Sequence, residues 1–254
     1  TLCARLDGLP LALELAASRF EALEPGELVE RLDRKLDLLA AREARGPDRH
    51  RTLRAVIDWS HELLSQREQE LFALLGLFPE SFDLDAVEAI LGTEGAGEGS
   101  PSLLDSMSAL ISKSLLRRRC DAGRTRYFFP EALREYARAR LEGDPRRTEL
   151  EMRLALHYLE LAREKSPGRP DHGQKEAFRL LGLERHNFRA ALAQFLSGHG
   201  AREALELCSC LSWFWYRTGQ YDWGRWALEK ALELERVEGS LPGLRARCLR
   251  ALGW

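Results

Sequence analysis

A single β signal in an otherwise helical chain constrains this sequence most. Ser114-Leu-Leu-Arg-Arg-Arg-Cys120 and Arg124-Thr-Arg-Tyr-Phe-Phe129 are short runs flanking the turn Asp121-Ala-Gly123, which is the pattern of a hairpin. Elsewhere the apolar residues recur at helical spacing. Leu28, Leu32, Leu36 and Leu39 share one face, and Pro10 suits the first turn of a helix running from Leu11 to Ala17. Leu53, Val56, Ile57 and Leu64 form the next stripe, and Ser65 with Glu68 makes a capping box for a helix that buries Leu71, Leu74, Leu75 and Phe78. A further helix carries Leu84, Val87, Ile90 and Leu91 and stops at Gly92. The Gly-rich stretch 92–101 reads as a flexible loop, and Leu103, Leu104, Met107, Leu110 and Ile111 line the helix after it.

Helices, then a two-stranded hairpin, then a helix from Glu131 to Leu141 is the order of elements in a winged-helix domain. Polar breaks at 44–49 and 142–147 set the expected boundaries: a helical subdomain at 1–45, a winged-helix domain at 46–145 and a helical region at 146–254. The last region has one helix around Leu150, Leu154, Tyr158 and Leu161, and another around Leu183, Phe188, Ala191, Leu192 and Phe195. Two antiparallel helices then meet at the turn 216–221, with Leu211, Trp215, Gly224, Leu228 and Ala231 at the separations of a tetratricopeptide helix pair. The expected fold class is mainly α, a helical subdomain and a winged helix with one small β-hairpin, followed by a tetratricopeptide-like α-solenoid. One helix pair cannot bury both its faces, so the array is expected to continue.

Of 254 residues, 44% are hydrophobic and 31% charged, a balance that excludes a disordered tail. No run approaches the ~18 apolar residues of a spanning helix. Lys plus Arg at 38 against Asp plus Glu at 40 leaves a net charge of -2, so the chain as a whole is no polybasic nucleic-acid binder. It opens on Thr1 without the features of a signal peptide and reads as a piece of a longer protein. Its five cysteines, Cys3, Cys120, Cys208, Cys210 and Cys248, are odd in number and lack the spacing of a disulfide framework, which points to a reducing cytoplasm.

Three segments carry a resemblance. Cys3-Ala-Arg-Leu-Asp-Gly-Leu-Pro-Leu-Ala-Leu-Glu-Leu-Ala-Ala17 contains an intact Gly-Leu-Pro-Leu-Ala at Gly8 to Ala12. His50-Arg-Thr-Leu-Arg-Ala-Val-Ile-Asp-Trp-Ser60 with Leu63-Leu-Ser65, and Tyr127-Phe-Phe-Pro-Glu-Ala-Leu-Arg-Glu-Tyr-Ala137, follow in order. Together they resemble the regulatory half of signal-transduction ATPases of the NB-ARC (STAND) type, which include large bacterial transcriptional regulators of the antibiotic-regulator and LuxR-like kind. The resemblance implies that Gly8 and Pro10 lie on the adenine side of a nucleotide, ATP or ADP, held by an upstream nucleotide-binding domain. It also implies that the winged helix is an intramolecular lever, that a protein or peptide ligand binds the repeat surface, and that the open form self-associates. Where relatives carry Met-His-Asp this chain has Phe129, Pro130 and Glu131, and Pro130 offers no side-chain donor to a phosphate. No G-x-x-x-x-G-K-[ST] occurs, so the chain by itself is expected to have no cofactor and no enzymatic activity, with neither catalytic nor metal-binding residues.

The basic hairpin is the sharpest alternative. Arg117, Arg118, Arg119, Arg124 and Arg126 are the candidates for contact with DNA phosphates or a minor groove, the property of a DNA-binding winged-helix transcription factor. Under the resemblance, DNA is not the expected partner of this element. In the aromatic cluster 213–226, most of which should be core, Trp215, Tyr216 and Tyr221 are the candidates for a partner groove, the feature a stand-alone repeat adaptor would share. Cys208 and Cys210 point to different helix faces and read as buried thiols rather than metal ligands. Asp58 and His61 read as a surface i, i+3 pair rather than catalytic groups.

Overall fold

The computed structural model describes residues 6, 8–19, 26, 27, 30, 48–92, 102–121, 123–166, 174–198, 200–239 and 241–253. The stripe Leu28 to Leu39, the break at 44–47 and the loop 93–101 lie outside the described residues. Helices α1 (Pro10–Ala17), α2 (Asp48–Glu62) and α3 (Gln66–Leu75) lead to strand β1 (Ser81–Phe82), followed by α4 (Leu84–Leu91) and α5 (Leu103–Ser112). The hairpin is β2 (Arg117–Asp121) and β3 (Arg124–Phe128), and α6 (Glu131–Arg140) closes the winged-helix order. Beyond it run α7 (Arg147–Lys165), α8 (Gln174–Leu183), α9 (Arg185–Ser197), α10 (Ala201–Arg217), α11 (Tyr221–Glu238) and α12 (Pro242–Leu252).

Local chemistry sets these boundaries. Pro10 occupies the first turn of α1, and Ser65 and Glu68 form the reciprocal capping box of α3. Asp83 caps α4 by accepting from the Ala86 N–H at 3.0 Å, and Gly92, at φ 67°, ends it. The expected β-hairpin is part of a larger structure: β1 adds a third strand, giving the sheet order β1-β3-β2. Two residues are too few for a period-2 pattern to show in sequence. The helix expected around 183–195 is two helices, α8 and α9, parted at Glu184.

The chain packs as two compact units. The first comprises Thr1–Leu77, Thr93–Arg119 and Tyr127–Glu142, and the second Phe78–Gly92, Cys120–Arg126 and Gly143–Trp254. This grouping differs from the consecutive stretches 1–45, 46–145 and 146–254 read from motifs, because β1, α4 and the hairpin tip pack with the C-terminal helices.

In the first unit α1 packs on α2, and α3 packs on α5 and α6. Phe72, fully buried, is its centre: its ring meets Phe129 at 5.0 Å, His61 at 5.6 Å and Tyr136 at 6.2 Å. Asp58 and His61 are therefore not a surface pair. His61 is buried, and burial followed by the charge of Arg140 lowers its pKa. Asp58 accepts from the Tyr136 hydroxyl and from Arg140 at 3.2 Å, which ties α2 to α6. Burial and the bond to Asp58 push the Tyr136 hydroxyl's pKa well above its ordinary value. Helix α3 ends at Gly76, where a Cβ would stand 2.7 Å from the Arg138 nitrogen and 2.8 Å from the Ala137 carbonyl carbon of α6. Gly76→Ala is accordingly expected to cost about 1–3 kcal/mol by forcing backbone apart, read as a lowered midpoint in chemical denaturation.

In the second unit α7 packs against α4, α8, α9 and α10, while α10 also packs on α11 and α12. The turn expected at 216–221 joins α10 to α11 through Gly219 at φ 73°. Gly224 brings α11 close enough to α10 that a Cβ there would sit 3.1 Å from the Trp215 ring.

Candidate nucleic-acid interface

In a winged helix the second helix of the helix-turn-helix pair is the one that enters the major groove. Here that position is held by α5, Leu103-Leu-Asp-Ser-Met-Ser-Ala-Leu-Ile-Ser112, which contains neither Lys nor Arg. Ser102 caps it, accepting from the Asp105 N–H at 3.1 Å, while the Asp105 carboxylate accepts from the Ser102 N–H at 3.0 Å. The hydrogen bonds from Ser102 lower the Asp105 pKa and keep a negative charge at this helix start. Met107 and Leu110 face the core, and Leu104, Asp105, Ser108 and Ser112 face outward. This surface has no cation to offer a phosphate.

The cations begin where α5 stops. Ser114 takes the left-handed conformation at φ 57°, and the N–H groups of Leu115 and Leu116 both donate to the Leu110 carbonyl. That reversal buries Leu115 and Leu116 and sends the chain out as β2. Arg117, half-exposed, is held by the Glu14 carboxylate of α1. Arg118 and Arg119 are exposed, with the Arg119 guanidinium 5.3 Å over the Phe128 ring. Gly123, at φ 74°, lets the hairpin turn, and Arg124 emerges exposed beyond it.

Arg126 is different. It shares a strand face with Arg124, yet it is 1% exposed and cannot reach a phosphate. Its guanidinium donates to the Glu184 carboxylate and, through Nη2, to the Ser81 carbonyl at 2.7 Å and hydroxyl at 3.3 Å. Asp83 lies 3.6 Å away. The Asn187 amide completes the cluster, donating to the Ser81 carbonyl at 2.9 Å and to Glu184 at 2.6 Å. Burial works against the guanidinium's charge, but the bond and charge of Glu184 outweigh it, so the Arg126 pKa is raised. For Glu184 burial wins and its pKa rises despite Arg126. A cavity of about 20 Å³ adjoins the pair, lined by Arg124, Arg126, Asp83, Lys165 and Glu184 along with leucines of α7 and α8.

Of the five hairpin arginines, then, Arg118, Arg119 and Arg124 are exposed, Arg117 is half-exposed and engaged with Glu14, and Arg126 is buried and structural. Ser81, Glu184 and Asn187 went unread in the sequence, since nothing local distinguishes them from surface residues. The other candidates fall as follows. Gly8, at φ 64°, and Pro10 are exposed at the turn that opens α1. Trp215 is buried against Gly224 and cannot line a groove, whereas Tyr216 and Tyr221 are exposed. Tyr216 stacks on Trp213 at 5.4 Å, and the half-exposed Trp226, stacked on Trp223 at 4.7 Å, adds to this aromatic surface. Cys208 and Cys248 are buried and Cys210 is half-buried, with burial pushing all three thiol pKa values up, that of Cys248 to about 12. Among the described residues no group of three or more His, Cys, Asp or Glu could hold a metal ion, and no helix is long and apolar enough to cross a membrane.

Comparison with known proteins agrees with this geometry. Residues 64–142 match the family model described as a winged helix-turn-helix domain. The "Putative HTH-type transcriptional regulator" of Mycobacterium tuberculosis is 39% identical over 216 residues, 85% of this chain and 24% of the relative, and its Mycobacterium bovis counterpart matches equally. A second M. tuberculosis relative, named only as an uncharacterized protein, is 35% identical over 140 residues, 55% of this chain and 35% of its own length. No solved structure matches significantly. The chain spans about a quarter of the length of these regulators. With the family match, the sheet order β1-β3-β2 and the succession of α3, α4 and α5 ahead of the hairpin, residues 64–142 are a winged helix-turn-helix domain within a chain similar to transcriptional regulators.

Proposed function

We propose that this chain is the winged-helix segment of a DNA-binding transcriptional regulator and that it meets the DNA backbone through its wing. The observation that carries this reading is the contrast between α5, without a single cation, and a hairpin that exposes Arg118, Arg119 and Arg124 on either side of its turn. The domain match and the relatives named as regulators of transcription support it, and they favour this alternative over the expectation that DNA is not a partner. Backbone contact through the wing positions a protein without reading sequence, so base recognition belongs to another part of the whole protein. The reading assigns the chain no catalytic step and places it in the cytoplasm, with the DNA. The test is fluorescence anisotropy with a labelled duplex across a salt series. Three phosphate contacts give a log K against log salt slope of about −2.7. Replacing Arg118, Arg119 and Arg124 together with alanine is expected to flatten that slope, and Ser108→Ala on α5 to leave it unchanged. Binding indifferent to the triple replacement would overturn the reading.

A second reading is favoured by Gly8 and Pro10. Their exposed turn, with Gly8 in the left-handed region, is the arrangement the NB-ARC resemblance implies beside an adenine. Under it the chain is the regulatory part of a nucleotide-switched protein, with ATP or ADP bound by an upstream domain. A protein or peptide ligand would sit at the Tyr216 and Tyr221 surface of a tetratricopeptide-like array, and the open form would self-associate. In the whole protein Gly8→Val should then weaken ADP binding about tenfold by closing the backbone's approach, and unchanged affinity would reject this role.

A further inference from the structure

We propose that the Arg126–Glu184 pair is a latch by which the α8–α9 junction sets the position of the wing tip, and with it Arg124. The consequence for DNA rests on the wing reading above; the latch itself does not. Three elements converge on one guanidinium. Ser81 comes from β1, Glu184 and Asn187 from the start of α9, and Arg126 from β3. A fully buried charged pair is a poor way to gain stability, since well-packed apolar residues of similar volume do as well or better, and its best-attested use is to fix a register or a switch. The cluster is also incompletely satisfied. Arg126 Nε and Asn187 Oδ1, both buried, have no hydrogen-bond partner. A buried polar network short of its full complement holds its arrangement less firmly than a complete one.

The cavity supplies a route for opening. Its 20 Å³ have room for a water molecule, and within its mainly apolar lining Asp83 and Lys165 set a charged group of each sign near the pair. Arg124 lines the same cavity two residues before Arg126 on β3. A shift of the α8–α9 junction that moves Glu184 therefore reaches Arg124 through one strand, with no rearrangement of α5. Such coupling requires two arrangements of the element, latched and released, whose balance a ligand of the C-terminal helices can bias.

Hydrogen exchange on the 254-residue chain tests this directly. Glu184→Gln keeps the shape of the side chain and removes its charge. The expected result is uneven: amides at 78–82 and 120–126 gain at least about tenfold more in exchange rate than those of α10 and α11, which quicken only by the unit's overall loss of stability. Equal acceleration throughout the unit, or no change anywhere, would overturn the latch. If Glu184→Gln does not fold, Arg126→Lys, which keeps the charge and loses the forked donor, is read by the same criteria. Selective opening in a chain whose DNA affinity ignores Arg124 would uphold the latch and reject the wing as a DNA contact.

Discussion

Glu184→Ala is expected to destabilise the C-terminal unit by about 3–5 kcal/mol, because it leaves an uncompensated guanidinium in the interior. Arg126 is 1% exposed, and Glu184 is the carboxylate bonded to it. Its remaining bonds, to the Ser81 carbonyl and hydroxyl, satisfy donors without balancing the charge, and Asp83 at 3.6 Å compensates only in part. Tryptophan fluorescence in a Trp59→Phe background is the natural probe, since Trp59 belongs to the first unit and Trp213, Trp215, Trp223 and Trp226 all belong to the second. In urea the midpoint of that signal should fall by at least about 1 M, given slopes of 1–3 kcal/mol per molar or somewhat more. The companion double variant Arg126→Met with Glu184→Leu removes both charges and should recover most of the loss, since paired apolar replacement of a buried ion pair is often neutral or stabilising. A loss below about 1 kcal/mol in Glu184→Ala would mean that the charge escapes to solvent, contrary to the packing described.

Phe72→Ala should be as damaging to the first unit, at about 3–5 kcal/mol. Its ring is fully buried and joins three segments at once: His61 of α2, Phe129 after β3, and Tyr136 of α6. Truncation removes those contacts and leaves a cavity that close-packed neighbours fill only partly. Phe72 and the rings it meets all belong to the first unit, so hydrogen exchange should quicken in α3 and α6 while the tryptophan signal of the second unit holds. Equal losses in both signals would show that the two units unfold as one.

How far the sequence could be read depended on how far apart the interacting residues lie. The capping box of Ser65 and Glu68, the start of α1 at Pro10, the stop of α4 at Gly92 and the turn before Tyr221 are interactions within a few residues, and each stands where the local pattern put it. The hairpin was equally visible, since both strands and the turn between them are contiguous. By contrast β1 is two residues long, a segment in which no periodicity can show. The expected groove residue Trp215 turned out to be core, because the small Gly224 on the next helix admits its ring. Asp58 and His61 looked like a solvated pair until α6 brought Tyr136 and Arg140 against them.

The hairpin arginines draw the same line most sharply. Composition and spacing alone determined that this chain is mainly helical, that one basic hairpin interrupts it, and that the elements follow a winged-helix order, because caps, turns and helical stripes are set by neighbours in sequence. Which of those arginines meets solvent was decided only by tertiary structure. Arg126 and Arg124 are equivalent in the local pattern, but Arg126 finds Ser81 45 residues before it and Glu184 58 residues after it. Desolvation makes a buried charge so costly that its whole surroundings must be arranged for it, and no local reading can see surroundings assembled from such distances.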